Sequence, residues 1–120
     1  MTLKECYTAL EGDYEGVIGR LRSEKMVQKF VLKFLNDKSY ELLEASMAAK
    51  NYEEAFRAAH TIKGVCQNLS FTKLYESSHR LTDNLRSGYG AETDGLVQQV
   101  SEDYKQTIAA IEELQAENPA

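Results

Sequence analysis

Between its first residue and residue 118 the chain contains no proline; its one proline is Pro119. Proline removes a helical donor and clashes with the preceding turn, so nothing in this backbone forbids long helices. Glycine is spread as unevenly. Gly12, Gly16 and Gly19 lie early, Gly88, Gly90 and Gly95 lie late, and between Gly19 and Gly88 the only glycine is Gly64. A chain like this can run helical through its whole middle.

The 120 residues suffice for one domain with a real core, and 42% hydrophobic with 28% charged residues fits a globular chain. The formal net charge of −5 argues against nucleic acid or an anionic membrane as the main partner, because phosphate-rich surfaces need a basic face. Cys6 and Cys66 are far apart and read as free thiols of a reducing compartment, not as a disulfide framework. The segment Met1–Cys6 lacks the apolar stretch of a signal peptide, and no apolar run approaches the ~18 residues of a membrane span. The expected location is the cytoplasm.

Taken in order, Thr2 can cap a short helix through about Glu11, and Asp13 a weaker one through about Arg22. Ser23 opens a stronger helix in which Val27, Phe30, Val31, Phe34 and Leu35 recur at amphipathic spacing. Ser39 is expected to cap the next, through about Lys50. Its apolar residues fall on two sides (Tyr40, Leu43, Met47 and Leu42, Ala45, Ala49), which suggests more than one neighbour. Asn51 caps a helix through Leu69, and Glu53 and Glu54 suit its positive end. Ser70 is expected to cap another, with Phe71, Leu74, Ser78, Leu81 and Leu85 buried. A last helix starts at Thr93–Asp94, carrying Leu96, Val100, Tyr104, Thr107, Ile111 and Leu114 in line. No segment alternates like a strand. Short connections make successive helices antiparallel, so the expectation is all-α: an up-down four-helix bundle over about residues 39–117, with additional N-terminal helices over about 2–37, in one domain spanning 1–120.

The helix after Asn51 holds the most informative face. At about 100° per residue, Ala55, Ala58, Ala59, Ile62, Val65, Cys66 and Leu69 share an arc of roughly 120°, and His60 points away from it. Phe56, Arg57, Lys63, Gly64 and Gln67 share the half of the helix that displays His60. Imidazole is nucleophilic near neutral pH, so a histidine on a rigid helix can attack an activated phosphoryl group. The dianionic product needs a cation, which Lys63 at i+3 can supply, with Arg57 at i−3 as a weaker second. Gly64 costs about 1 kcal/mol relative to alanine inside a helix. Beside His60, it leaves room for another protein's backbone, and Phe56 offers that protein apolar area. A lone surface histidine is usually just solvated; the three residues together are the stronger signal. His79 lacks a matching lysine and glycine and reads as a surface residue. His60, His79, Cys6 and Cys66 show no metal-ligand spacing, and no nucleotide-binding motif is present.

Ala59-His60-Thr61-Ile62-Lys63-Gly64, followed by Gln67-Asn68-Leu69 and a helix with Leu74, Ser78 and Leu81, resembles the histidine-containing phosphotransfer (HPt) domain. The likeness spans about residues 27–87. It implies a four-helix bundle, phosphorylation of His60 at Nε2, and exchange of the phosphoryl group with aspartates of response-regulator receiver domains, supplied by a hybrid histidine kinase. It further implies that Lys63 supports the phosphoryl group and Gly64 gives the receiver access. No cofactor is expected on this chain, since Mg²⁺ sits on the receiver in such transfers. Ser70 stands where the family usually has glycine. Thr82, with Asp83 beside it, stands where many members carry a glutamine or glutamate that orients the histidine. Arg86, one turn later, is within reach of the phosphoryl group or the partner.

Two rivals differ in kind. A non-catalytic adaptor would dock a partner through the His60 face without phosphorylation. A small enzyme using His60 as general base would need convergent groups in a pocket, and an outward-facing histidine argues against it.

Overall fold

The computed structural model describes residues 1–118; residues 119–120, including Pro119 and the end of the expected domain span, lie outside the described residues. The described residues are helical and contain no strand. The elements are α1 (Leu3–Leu10), α2 (Tyr14–Leu21), α3 (Glu24–Lys33) running into a 3₁₀ turn (Phe34–Asn36), α4 (Ser39–Ala48), α5 (Tyr52–Leu69), α6 (Thr72–Arg86) and α7 (Thr93–Glu117).

Short polar side chains start these helices by accepting from otherwise orphaned backbone N–H groups. Thr2 and Glu5 form a reciprocal capping box on α1, Asp13 accepts from Gly16 N at 3.0 Å, Ser23 from Met26 N at 3.2 Å, and Asn51 from Glu54 N at 3.2 Å. Two expected caps are different. Ser39 is the first residue of α4 rather than its cap, and its own N–H donates to Asp37 Oδ1 at 2.8 Å. Ser70 does not cap α6 either. It closes α5 in the left-handed conformation (φ 57°, ψ 39°), while Phe71 N–H donates to Cys66 O at 2.9 Å and Ser70 N–H to Gln67 O at 3.3 Å. That pairing satisfies the last carbonyls of α5 and calls for a positive φ, which glycine adopts with less strain than serine.

The N-terminal helices hold this serine in place. Ser70 O accepts from Asp13 N at 2.8 Å, and Arg20 of α2 reaches Ser70 Oγ at 2.6 Å, Asn68 O at 2.8 Å and Gln67 O at 3.2 Å. Tyr7 of α1 donates its hydroxyl to Leu69 O at 2.7 Å. A cation at the C-terminal end of a helix also complements its dipole. α1 and α2 therefore close one end of α5, and α1 packs along α7.

Consecutive helices pack α4 on α5, α5 on α6 and α6 on α7. Ala55, Ala58 and Ala59 are buried on α5, and their small side chains let the neighbouring helices approach. Leu43, Ile62, Leu74, Leu81, Val100, Ile111 and Leu114 fill the interior, and Tyr40 of α4 stacks on Tyr104 of α7 with centroids 4.0 Å apart. α4 differs from expectation. It buries Tyr40, Leu43 and Ser46 only; Leu42 is 46% exposed and Ala45 and Ala49 face solvent, so its second apolar side is unpartnered.

Both cysteines are buried free thiols. Burial pushes the Cys6 thiol up to about 11 and that of Cys66 higher still. A group whose folded pKa is raised stabilises the fold below its unfolded pKa and loses that contribution as pH rises through the folded value. For Cys6 the loss runs from its ordinary value of 9.0 to about 11. The urea midpoint is therefore expected to fall progressively above pH ~9, and to fall less in a Cys6→Ser, Cys66→Ala variant compared with its own value at pH 7.

Candidate functional site

His60 lies mid-helix on α5, exposed, directly opposite the alanine-rich buried stripe. Among the described residues, no hydrogen bond or ion pair engages either of its ring nitrogens. The contact the ring does make is with Phe56, one turn earlier, whose ring lies nearly parallel at 15° with centroids 6.1 Å apart. Phe56 is half-buried, and from α6 the Arg86 guanidinium sits 5.4 Å from its ring centroid. Arg86 also faces Asp83 at 3.6 Å.

Lys63 is half-exposed and forms no ion pair among the described residues, so its ammonium is available to a ligand on the His60 face. Arg57 is not: it is paired with Glu53 at 2.9 Å and with Glu54. A Cβ built on Gly64 would meet nothing within 4 Å. Its missing side chain does not serve packing inside the molecule; it leaves the surface beside His60 low. Gln67 is exposed on the same face one turn further on.

Thr82 is elsewhere. It is fully buried and donates its hydroxyl to Ser78 O, one turn back on its own helix, at 2.7 Å. No hydrogen bond joins it to His60. His79 lies on α6 with Nε2 3.4 Å from Asp83 Oδ2 and its ring stacked on Tyr75. Its Nδ1 is buried without a hydrogen-bond partner. His79 is thus more enclosed than His60 and is shared with an acidic residue.

Two features of the surroundings go beyond the sequence pattern. Arg20, which ties α2 to the end of α5, has a sequence signal only in being a cation on a weak helix. A groove of about 790 Å³ runs beside the Gly64 face, lined among others by Leu21, Phe30, Lys33, Val65 and Asn68. Asp37 is the one carboxylate in its lining, and His60 is not part of it. Among the described residues no cluster of three His, Cys, Asp or Glu side chains could hold a metal, and no helix is long and apolar enough to cross a membrane.

The arrangement is that of a helical protein presenting one open, unencumbered histidine beside a cation and a gap. Residues 32–117 match the family model of the Hpt domain, and the chain belongs to that family. The match begins at the end of α3 and covers α4 to α7, so α1 and α2 lie outside it. No curated protein and no solved structure gives a significant match. Hpt domains transfer phosphoryl groups through histidine in two-component signalling, act as carriers rather than kinases, and interact with receiver domains of response regulators.

Proposed function

We propose that His60 is the phosphoryl carrier, taking the group from, or giving it to, the phosphorylated aspartate of a receiver domain. The observation that carries this reading is an exposed imidazole with both nitrogens unengaged, beside a glycine that opens onto empty space. In the forward step one ring nitrogen attacks the phosphorus of the aspartyl phosphate. An N–P bond forms as the P–O bond to the aspartate breaks, the electron pair returns to the carboxylate, and the ring keeps its proton on the other nitrogen. Positioning and charge neutralisation supply most of the rate, as in other phosphoryl transfers.

Within this reading Lys63 neutralises the transferred group, Gly64 admits the receiver's backbone, and Phe56, Gln67 and Arg86 border the docking face. Arg57 contributes little, because its guanidinium is committed to Glu53 and Glu54. The Mg²⁺ of the reaction belongs to the receiver, and a hybrid histidine kinase stands upstream. The two buried free thiols suit the reducing cytoplasm as the place of the relay.

The test is incubation with a receiver domain charged by acetyl phosphate. Acid-labile, base-stable label should move to the chain and map to His60. Label mapping to His79, or no label with any receiver able to charge other Hpt domains, would refute the reading. Lys63→Ala should slow the transfer about tenfold, the worth of one charge-assisted contact of about 1.4 kcal/mol, with an unchanged melting curve. An unchanged transfer rate in rapid-quench measurements would remove Lys63 from the mechanism.

A further inference from the structure

A nucleophilic ring on a helix surface must be held at a useful angle, and a second hydrogen bond to the ring is the usual way. Here Thr82, the residue on α6 that the family resemblance puts in that role, is buried and its proton is spent on Ser78 O. What touches the ring is Phe56, at i−4 on the same helix, where side chains stack one above the other. The two planes are within 15° of parallel. Phe56 is itself gripped from the next helix, since the Arg86 guanidinium lies 5.4 Å from its centroid and Arg86 is drawn to Asp83 at 3.6 Å. A cation over an aromatic face is attracted by the negative charge of that face, and two stacked rings resist rotation away from their common plane.

We propose that Phe56, pinned by Arg86, is the positioning residue of His60: ring stacking does here what a hydrogen bond to the second nitrogen would otherwise do. The proposal rests on the reading of His60 as the phosphoryl carrier, and it changes the part played by Phe56. A docking contact would set how tightly a receiver binds. A positioning contact sets how often the bound receiver finds the imidazole correctly turned, so it governs the maximal transfer rate and leaves the half-saturating receiver concentration alone.

Three variants of the full chain separate these roles. Phe56→Leu keeps apolar bulk and removes the aromatic face, Phe56→Tyr restores the face, and Arg86→Met removes the cation while keeping the length. Single-turnover transfer is measured against the concentration of an acetyl-phosphate-charged receiver domain that labels the wild type. In parallel, the His60 ring carbon-bound protons are followed by NMR in the unphosphorylated protein. Phe56→Leu should lower the maximal rate about three- to tenfold with unchanged half-saturation. It should also shift the His60 ring protons as the ring current of Phe56 is lost. Phe56→Tyr should be wild-type-like in both readouts, and Arg86→Met should fall between, with a loss of about two- to threefold. A Phe56→Leu change confined to half-saturation would make Phe56 a docking contact and overturn the proposal, as would unmoved His60 resonances. If no receiver labels the wild type, the phosphoryl-carrier reading fails while the NMR comparison still decides whether Phe56 holds the ring.

Discussion

Replacing His60 by glutamine is expected to reduce acid-labile phosphorylation to background while the melting temperature stays within about 2 °C of the original. Glutamine is a good helix former of similar length, and the position is exposed with a single ring contact to lose, so the fold has little at stake. The chemistry has everything at stake, because an amide nitrogen has no free lone pair with which to attack phosphorus. His79→Gln is the matched control. That ring lies against Tyr75 and 3.4 Å from Asp83, with its other nitrogen enclosed, and removing it should leave labelling of His60 intact. Phosphate retained by His60→Gln after transfer from a charged receiver, and lost on acid treatment, would move the carrier elsewhere. Labelling that vanishes only in His79→Gln would name that residue instead. The adaptor alternative makes the opposite cellular forecast: His60→Gln would go on signalling, since docking alone would suffice.

The helices are legible in the sequence because most have one dominant apolar stripe, and because Thr2, Asp13, Ser23 and Asn51 each stand directly before a helix start and cap it. His60 is legible for the same reason: one angular count puts it opposite Ala58, Ile62 and Leu69. Serine is the point of failure. Ser39 and Ser70 carry the local signature of an N-cap, yet the neighbouring Asp37 wins at α4, and tertiary contacts from Arg20 and Asp13 hold Ser70 in a left-handed closing turn. The glycine that the family resemblance leads one to expect at the Ser70 position carries that information, as a demand for positive φ. Apolar residues on two sides of α4 do not imply two neighbours, since small alanines there lose little by facing water. The pairing of Arg57 with Glu53 and Glu54 sits at readable i−4 and i−3 spacing. The grip of Arg86 on Phe56 joins residues thirty positions apart and arises only from how α5 and α6 pack.

Phe71→Ala is expected to cost about 3–5 kcal/mol, lowering the urea midpoint by roughly 2 M in a single cooperative transition. The ring has no exposed surface and stands where the N-terminal helices meet the bundle. It packs at 5.7 Å against Tyr7 of α1 and edge-on at 5.3 Å against Phe34, which in turn lies 6.1 Å from Tyr104 of α7. Truncation leaves a cavity that three helices and a 3₁₀ turn would have to close together, so it has no cheap local relaxation. Phe71 also comes directly after Ser70, whose strained backbone is held by its surroundings. The number of transitions carries as much as the shift. If α1–α3 and the bundle share one core, far-UV ellipticity and the environment of the tyrosines in α1 and α7 must be lost at the same urea concentration, in the wild type and in the variant. Non-coincident curves would show that the helices outside the family match form a separate unit, and a midpoint change below about 0.5 M would show that Phe71 is not the joint between them.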